Sequence, residues 1–276
     1  MEYLLGKNRA LELREELKDN LSKLDRKLKL VCLVNKQDAS SIGYAASQAK
    51  LASSLGIDYE LIEMEESKDC YVQEINRINN DDSIDGCLIT RPLFKGANEE
   101  EIISLLNPLK DVDGMNALSL GELFINKENA IKPATPRAIV ELLKSYNIEI
   151  KGKDILVVGR SISVGKPVSI MLLNEHGTVT IAHTRTLDLD EKISRADILV
   201  AAVGKPHIID SSKCKEGAIV IDAGIHYLEE RIVGDVIPSE KIKYISKVPG
   251  GVGILTSTLI MDNVYRCYLR RKNNGI

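Results

Sequence analysis

The chain has 276 residues, 44% of them apolar and 28% charged, which excludes a disordered polypeptide and suggests about two domains at roughly 150 residues each. Lys and Arg total 37 against 40 Asp and Glu, a net charge of −3, so no basic excess points to nucleic acid or an anionic membrane. Trp is absent and Phe occurs twice, which argues against a stacking platform for single-stranded nucleic acid. No apolar run approaches the ~20 residues of a membrane span. The N-terminal MEYLLGKNRA has no apolar signal core, so a cytoplasmic chain is expected. Five cysteines without a CxxC pair, and four histidines without HxxxH spacing, predict reduced thiols and no metal site.

In chain order, Leu11 to Leu28 reads as an amphipathic helix and Leu30 to Val34 as a buried strand. Ser41 to Leu55 is helical and stops at Gly56. Tyr59 to Ile62 is a strand, Val72 to Ile78 a helix, and Ile84 to Thr90 a strand. Asn98 to Leu106 is a helix opened by an Asn cap and three Glu, which suit the positive end of the helix dipole. Strands alternating with helices predict parallel βαβ units. Asp111 to Ala134 is rich in turn residues and reads as the crossing between domains. Pro136 to Tyr146 is a helix with Thr135 as its cap. Ile155 to Val158 is a strand, followed by a Gly/Ser loop, a helix to about Asn174 and a strand Thr178 to Ile181. Asp197 to Val203 and Ala218 to Ile221 are further strands, residues 249–253 a glycine loop, and Leu255 to Leu269 a helix.

The loop Gly159-Arg160-Ser161-Ile162-Ser163-Val164-Gly165-Lys166-Pro167 sits between strand and helix, the context of a dinucleotide site. Ser161 stands for the middle glycine, and the last glycine comes one residue late. Gly159 permits a tight turn, Ser161 offers a hydroxyl, and the helix starting near Gly165 is expected to point free N–H groups at an anion. An ordinary βα turn is the alternative. Where NAD-binding units carry an acid for the ribose 2′-OH, this chain reads Ala182-His183-Thr184-Arg185. Arg160 and Arg185 could bond a 2′-phosphate, so NADP is favoured over NAD.

These residues, with KDVDG (Lys110–Gly114), PATP (Pro133–Pro136), IVGDV (Ile232–Val236) and VPGGVG (Val248–Gly253), resemble the methylenetetrahydrofolate dehydrogenase/methenyltetrahydrofolate cyclohydrolase (FolD) family. The resemblance covers essentially the whole chain. It implies an α/β fold of two domains: an N-terminal βαβ folate domain (residues 1–116 and 254–276) and a C-terminal Rossmann NADP-binding domain (117–253). The last helix would pack back on the first domain, with the substrate cleft between the domains and a homodimer as the assembly. The implied reaction oxidises 5,10-methylenetetrahydrofolate by hydride transfer to NADP, which demands placement rather than a protein base.

Residue by residue, the resemblance makes Tyr44 the ring that stacks on the folate, with Ser41 as the serine of its motif. Asp113 becomes the carboxylate that binds pterin N–H groups. Gly250 and Gly251 let backbone approach folate or cofactor. Gly159, Arg160, Ser161, Gly165, Pro167, Thr184 and Arg185 would hold NADP. Two catalytic positions depart from the pattern: Gln48 stands where the family has the lysine of its cyclohydrolase step, and Thr90 where it has the glutamine that partners that lysine. An amide cannot act as acid or base. Lys50 lies about 200° around the helix and does not replace it. Smaller departures are Lys247, Ile254 and Leu255. Weakened or lost cyclohydrolase activity is therefore expected. Three alternatives remain: a fully bifunctional enzyme using Lys36, Arg91 or Lys95, a shikimate-type dehydrogenase, or a non-catalytic folate or nucleotide sensor.

Overall fold

The computed structural model describes residues 1–229 and 231–273. The chain forms two compact units, Met1–Leu11 with Thr135–Thr256, and Glu12–Ala134 with the described residues from Ser257 onward. Ala117–Phe124 thus shares a unit with Tyr44, and the first eleven residues share one with Gly159.

In the unit that carries Tyr44, three parallel strands lie in the order Asp58–Met64, Lys29–Asn35, Gly86–Ile89. The central strand follows from LVCLV, an unbroken apolar run buried on both faces. The next helix, Ala39–Leu55, begins at Asp38, whose carboxylate accepts the Ser41 N–H, and ends at Gly56 with φ 78°. Its small buried residues Ala45 and Ala52 pack with Leu30, Cys32 and Val112 in one core. Ile260, Met261, Val264 and Cys267 of the last helix, Val252–Asn273, complete that core. Asn263 locks the same helix in place by donating to the carbonyls of Val112 and Lys132.

Two buried ionic sites fix this unit. Asp85 is fully buried and accepts both Arg26 guanidinium N–H groups at 2.7 and 2.8 Å, the Lys29 amide at 2.9 Å, and Arg271 of the last helix. The KDVDG turn is the second. Lys110 is 1% exposed, and its ammonium donates to the carbonyls of Ile78, Asn79 and Asp81 at the end of the helix Lys68–Asn80. Asp111 turns inward and accepts the N–H groups of Asp113, Gly114 and Asn116. Gly114 adopts φ 70° against the backbone of Lys132 and Pro133, where a Cβ would collide. Lys110, Asp111 and Gly114 therefore shape the turn, and Asp113 is what it presents.

The other unit holds a six-stranded, wholly parallel sheet in the order Glu2–Leu4, Tyr244–Ser246, Ile219–Asp222, Ile198–Ala201, Asp154–Val158, Thr178–Ala182. Counted from Asp154–Val158, the order is 2-1-3-4-5 with the N-terminal strand added at the edge. The direction of winding reverses between Asp154–Val158 and Ile198–Ala201, and doubly wound sheets bind ligands at the carboxyl ends of such strands.

Three expectations are corrected. The first helix runs Lys7–Ser22, because Glu2–Leu4 is drawn into the sheet beside Tyr244–Ser246 and the helix starts directly after it. Residues 111–134 are not all irregular: Ala117–Phe124 is helical, capped by the Asn116 side chain on the Leu118 N–H. The helix Ala134–Ser145 begins before Pro136, so Thr135 lies inside it and is no cap. Proline is tolerated in a first turn because the N–H it lacks has no helical partner there.

Replacing Asp85 by Ala strands Arg271 in the core and should lower the unfolding free energy by about 3–5 kcal/mol. Urea titration of the purified chain checks this, and a loss below about 1 kcal/mol would show that the Asp82 carbonyl, which already accepts from Arg271, and solvent satisfy the guanidinium. Burial and the neighbouring Asp113 push Asp111 from 3.8 up to about 6. Between those values the folded chain holds a proton that the unfolded chain has released, so this group's contribution to stability falls as pH rises across that window and is flat above it. Asp111→Asn should remove that slope while lowering stability at every pH, because its amide N–H groups would face backbone donors.

Candidate active site

Tyr44 and Gln48 lie one turn apart on the helix Ala39–Leu55. Gln48 is fully buried on the face that also carries Ala45 and Ala52, whereas Lys50 is exposed. The Gln48 Nε2 donates to Ser257 Oγ at 2.8 Å, and its Oε1 is buried without a partner. The Tyr44 phenol lies near the polar groups of Ser257 and Gln48, which temper the effect of its burial, while 37% of the tyrosine's surface stays open. Desolvation, with the charge of Asp113 as the next cause, holds its hydroxyl firmly protonated. Below it Cys32 is buried and its thiol is pushed up to about 11 by desolvation. The Tyr59 hydroxyl donates to the Ala45 carbonyl at 3.1 Å.

Asp113 stands at the rim of this group. Burial raises its carboxyl above the usual range and the Arg91 guanidinium draws it back. Ser41 lies within hydrogen-bond distance of the Asp38 carboxylate and, at 3.1 Å, of the Arg91 carbonyl, so it ties the helix start to the segment after Thr90. Thr90 is 5% exposed, and its hydroxyl donates to the Leu33 carbonyl at 3.1 Å. The amide of Gln48 is therefore met by Ser257, and the Thr90 hydroxyl is committed to backbone. Of the three alternative cations, Lys36 pairs with Glu65, Arg91 lies 3.8 Å from Glu99 and also acts on Asp113, and Lys95 is exposed.

Gly159, Arg160, Ser161, Gly165, Pro167, Thr184 and Arg185 all lie in the other unit, as do Gly250 and Gly251. Gly159 has φ 128°, and a Cβ there would sit 2.1 Å from the Ala202 carbonyl oxygen. A Cβ on Gly165 would lie 2.3 Å from the Gly159 carbonyl oxygen. Both glycines are thus required for the loop to close beside Ala202, at the reversal point of the sheet. The expectation of free amides at the start of the helix Gly165–Asn174 is corrected: Ser161 Oγ accepts the N–H groups of Val164 and Gly165 at 3.1 and 3.3 Å, and the Ser161 carbonyl accepts that of Lys166. The amides left without an acceptor among the described residues are those of Arg160, Ser161, Ile162 and Ser163. Pro167 occupies the first helical turn. Thr184 and Arg185 are exposed on a turn closed by the His183 amide on the Thr186 hydroxyl. The guanidinium groups of Arg160 and Arg185 are exposed and have no partner among the described residues. Gly250 has φ 113° and its carbonyl accepts the Gly6 N–H. A Cβ on Gly251 would sit 2.8 Å from the Lys247 carbonyl oxygen.

The sequence reading missed Ser257 and the loop Val203–Lys205, and named Arg91 only as an alternative cation. That loop also follows a strand at the reversal point, and Asp235 of the IVGDV motif accepts its three N–H groups at 2.6, 3.0 and 3.1 Å. Its amides are therefore taken by the chain's own carboxylate. A Gly-Lys-Pro after the strand Ile198–Ala201 was the available signal. Nothing in the local pattern marks Ser257. The described residues contain no cluster of three or more His, Cys, Asp or Glu that could hold a metal, and no helix among them is long and apolar enough to cross a membrane.

The catalytic-domain profile of tetrahydrofolate dehydrogenase/cyclohydrolase matches residues 4–113, and the profile of its NAD(P)-binding domain matches residues 133–272. The bifunctional protein FolD of Clostridium perfringens is 41% identical over 269 residues, covering 95% of this chain and 97% of that protein. The crystal structure of the bifunctional FolD methylenetetrahydrofolate dehydrogenase/cyclohydrolase from Campylobacter jejuni superposes with a TM-score of 0.93 at 35% identity, covering 98% of this chain and 99% of that one. The Trypanosoma brucei dehydrogenase-cyclohydrolase, solved with NADP and an inhibitor, gives a TM-score of 0.93 at 28% identity, covering 98% of each chain. Matches to both parts of the chain, and identity above 40% across nearly all of it, establish that this chain belongs to the tetrahydrofolate dehydrogenase/cyclohydrolase family.

Proposed function

We propose that this chain oxidises 5,10-methylenetetrahydrofolate to 5,10-methenyltetrahydrofolate with NADP, and that hydrolysis of the methenyl product is slow or lost. The observation that supports the second half is Gln48: a fully buried neutral amide, bonded to a serine hydroxyl, at the position to which the resemblance assigns the family's lysine. Water attack on the methenyl carbon needs a group that moves protons, and a carboxamide holds its protons at every accessible pH. Arg91, whose charge acts on Asp113, offers hydrogen-bond donors and no base.

The dehydrogenase half needs only placement. The open part of the Tyr44 ring gives the flat pterin a surface to stack on. The Asp113 carboxylate accepts from the pterin's N–H groups, and the Arg91 guanidinium opposes the upward shift that burial imposes on it. The folate nitrogens stabilise the cation as the bridging carbon gives up hydride. Gly250 and Gly251 keep backbone free of side chains where folate or cofactor approaches.

The residues around Gly159 fit NADP. The two glycines make a cradle that a Cβ would fill, four adjacent amides lack acceptors, and Arg160 and Arg185 carry unpaired charge. NADP, when bound, supplies the hydride acceptor. Arg160, Arg185 and the Thr184 hydroxyl would hold its 2′-phosphate. The turn at Ala182-His183-Thr184-Arg185 carries no acid, which supports NADP over NAD.

In an absorbance assay with the substrate and NADP, methenyl product should accumulate alongside NADPH. Rapid enzyme-dependent decay of added methenyltetrahydrofolate would sink the claim of weak hydrolysis. Gln48→Lys alone should restore little, and Gln48→Lys with Thr90→Gln more. A full gain from the single change would show that Thr90 is not the missing partner. Arg185→Ser should cut the preference for NADP over NAD, read as the ratio of kcat/KM values, by about tenfold.

A further inference from the structure

We propose that Ser257 is a positioning residue of the folate site, fixing the Gln48 carboxamide and through it the Tyr44 phenol. The inference rests on the reading of Tyr44 as the folate-stacking ring.

Gln48 lies on the apolar face of its helix with Ala45, Ala52 and Leu55, where a methionine or leucine would pack without polar cost. Instead an amide is buried there, and one of its two ends lacks a partner. Turning the amide over does not cure this, because Ser257 would then donate to Oε1 and leave Nε2 unpaired. The bond to Ser257 Oγ at 2.8 Å is the contact that holds the amide in either orientation. Ser257 is itself only part-buried and sits early in the helix Val252–Asn273, next to Thr258, which accepts from Arg14 at 3.0 Å. Its backbone is thus held on a packed helix, and its hydroxyl is a fixed point.

Tyr44 needs such a point. The residue is 37% exposed, so packing does not enclose the side chain on every side. Tyr44 stands one helical turn before Gln48, and the Gln48–Ser257 pair, bonded at 2.8 Å, supplies the polar surroundings of its hydroxyl. Removing the serine hydroxyl frees the amide to rotate and changes those surroundings. The ring would then spend time away from the stacking orientation, and folate binding would weaken while the chemistry, once folate is seated, would not.

The test measures initial rates on the full chain for the parent, Ser257→Ala, Ser257→Thr, Gln48→Met and the Gln48→Met/Ser257→Ala double variant, with thermal unfolding of each. Ser257→Ala should raise KM for methylenetetrahydrofolate about fivefold, and leave kcat and the KM for NADP within about twofold. Ser257→Thr, which keeps the hydroxyl, should restore the parent value. The serine change should add nothing once Gln48 is Met. A Ser257→Ala chain with a lowered Tm and an unchanged folate KM would overturn the proposal, as would effects that multiply in the double variant. If the parent chain does not turn over, the proposed dehydrogenase reading fails. The role of Ser257 is then judged by calorimetric affinity for tetrahydrofolate in the same five proteins: a loss in Ser257→Ala that Ser257→Thr restores and Gln48→Met masks supports it, and equal affinities overturn it.

Discussion

Buried carboxylates that accept the chain's own N–H groups set the shape of this protein. Asp111 gathers three amides and makes the turn that presents Asp113. Asp235 gathers the three amides of Val203–Lys205 and meets His226 Nε2 at 2.7 Å. Asp222 beside it accepts from Gly224, Asp235 and Val236. A charge taken out of water must be paired or hydrogen-bonded, so each of these loops has little freedom to take another conformation. Among the described residues, the groups left without a partner include the amides of Arg160 to Ser163 and one end of the Gln48 amide.

The family position held by Gln48 shows how little separates two chemistries in one site. Placement of a flat substrate needs a ring, a carboxylate and glycines that leave room, and none of these needs to change protonation. Hydrolysis needs a titratable group at the reacting carbon. On the function proposed above, an amide in place of an amine would remove only the second requirement, and the Gln48–Ser257 bond keeps that amide in place.

The motifs KDVDG and IVGDV divide their labour in a way their letters do not reveal. Lys110 caps a helix by donating to its last carbonyls, Asp111 folds the turn, Val112 fills the core, and only Asp113 faces the site. Gly234 and Gly224 are small because Asp222 and Asp235 occupy the space a Cβ would need.

The sequence alone determined the parallel α/β pattern, because unbroken apolar runs such as LVCLV fit strands buried on both faces. It also placed Gly159 and Gly165 in a loop between a strand and a helix, and the structure shows why both are glycine, since a Cβ at either would meet backbone. It did not determine that Glu2–Leu4 joins a sheet beside Tyr244–Ser246, that Ser161 takes the amides assigned to an anion, or that Ser257 meets Gln48 across 209 positions. Those are pairings between distant segments. Local periodicity reports which face of an element is apolar, and only the packed chain decides which donor finds which acceptor.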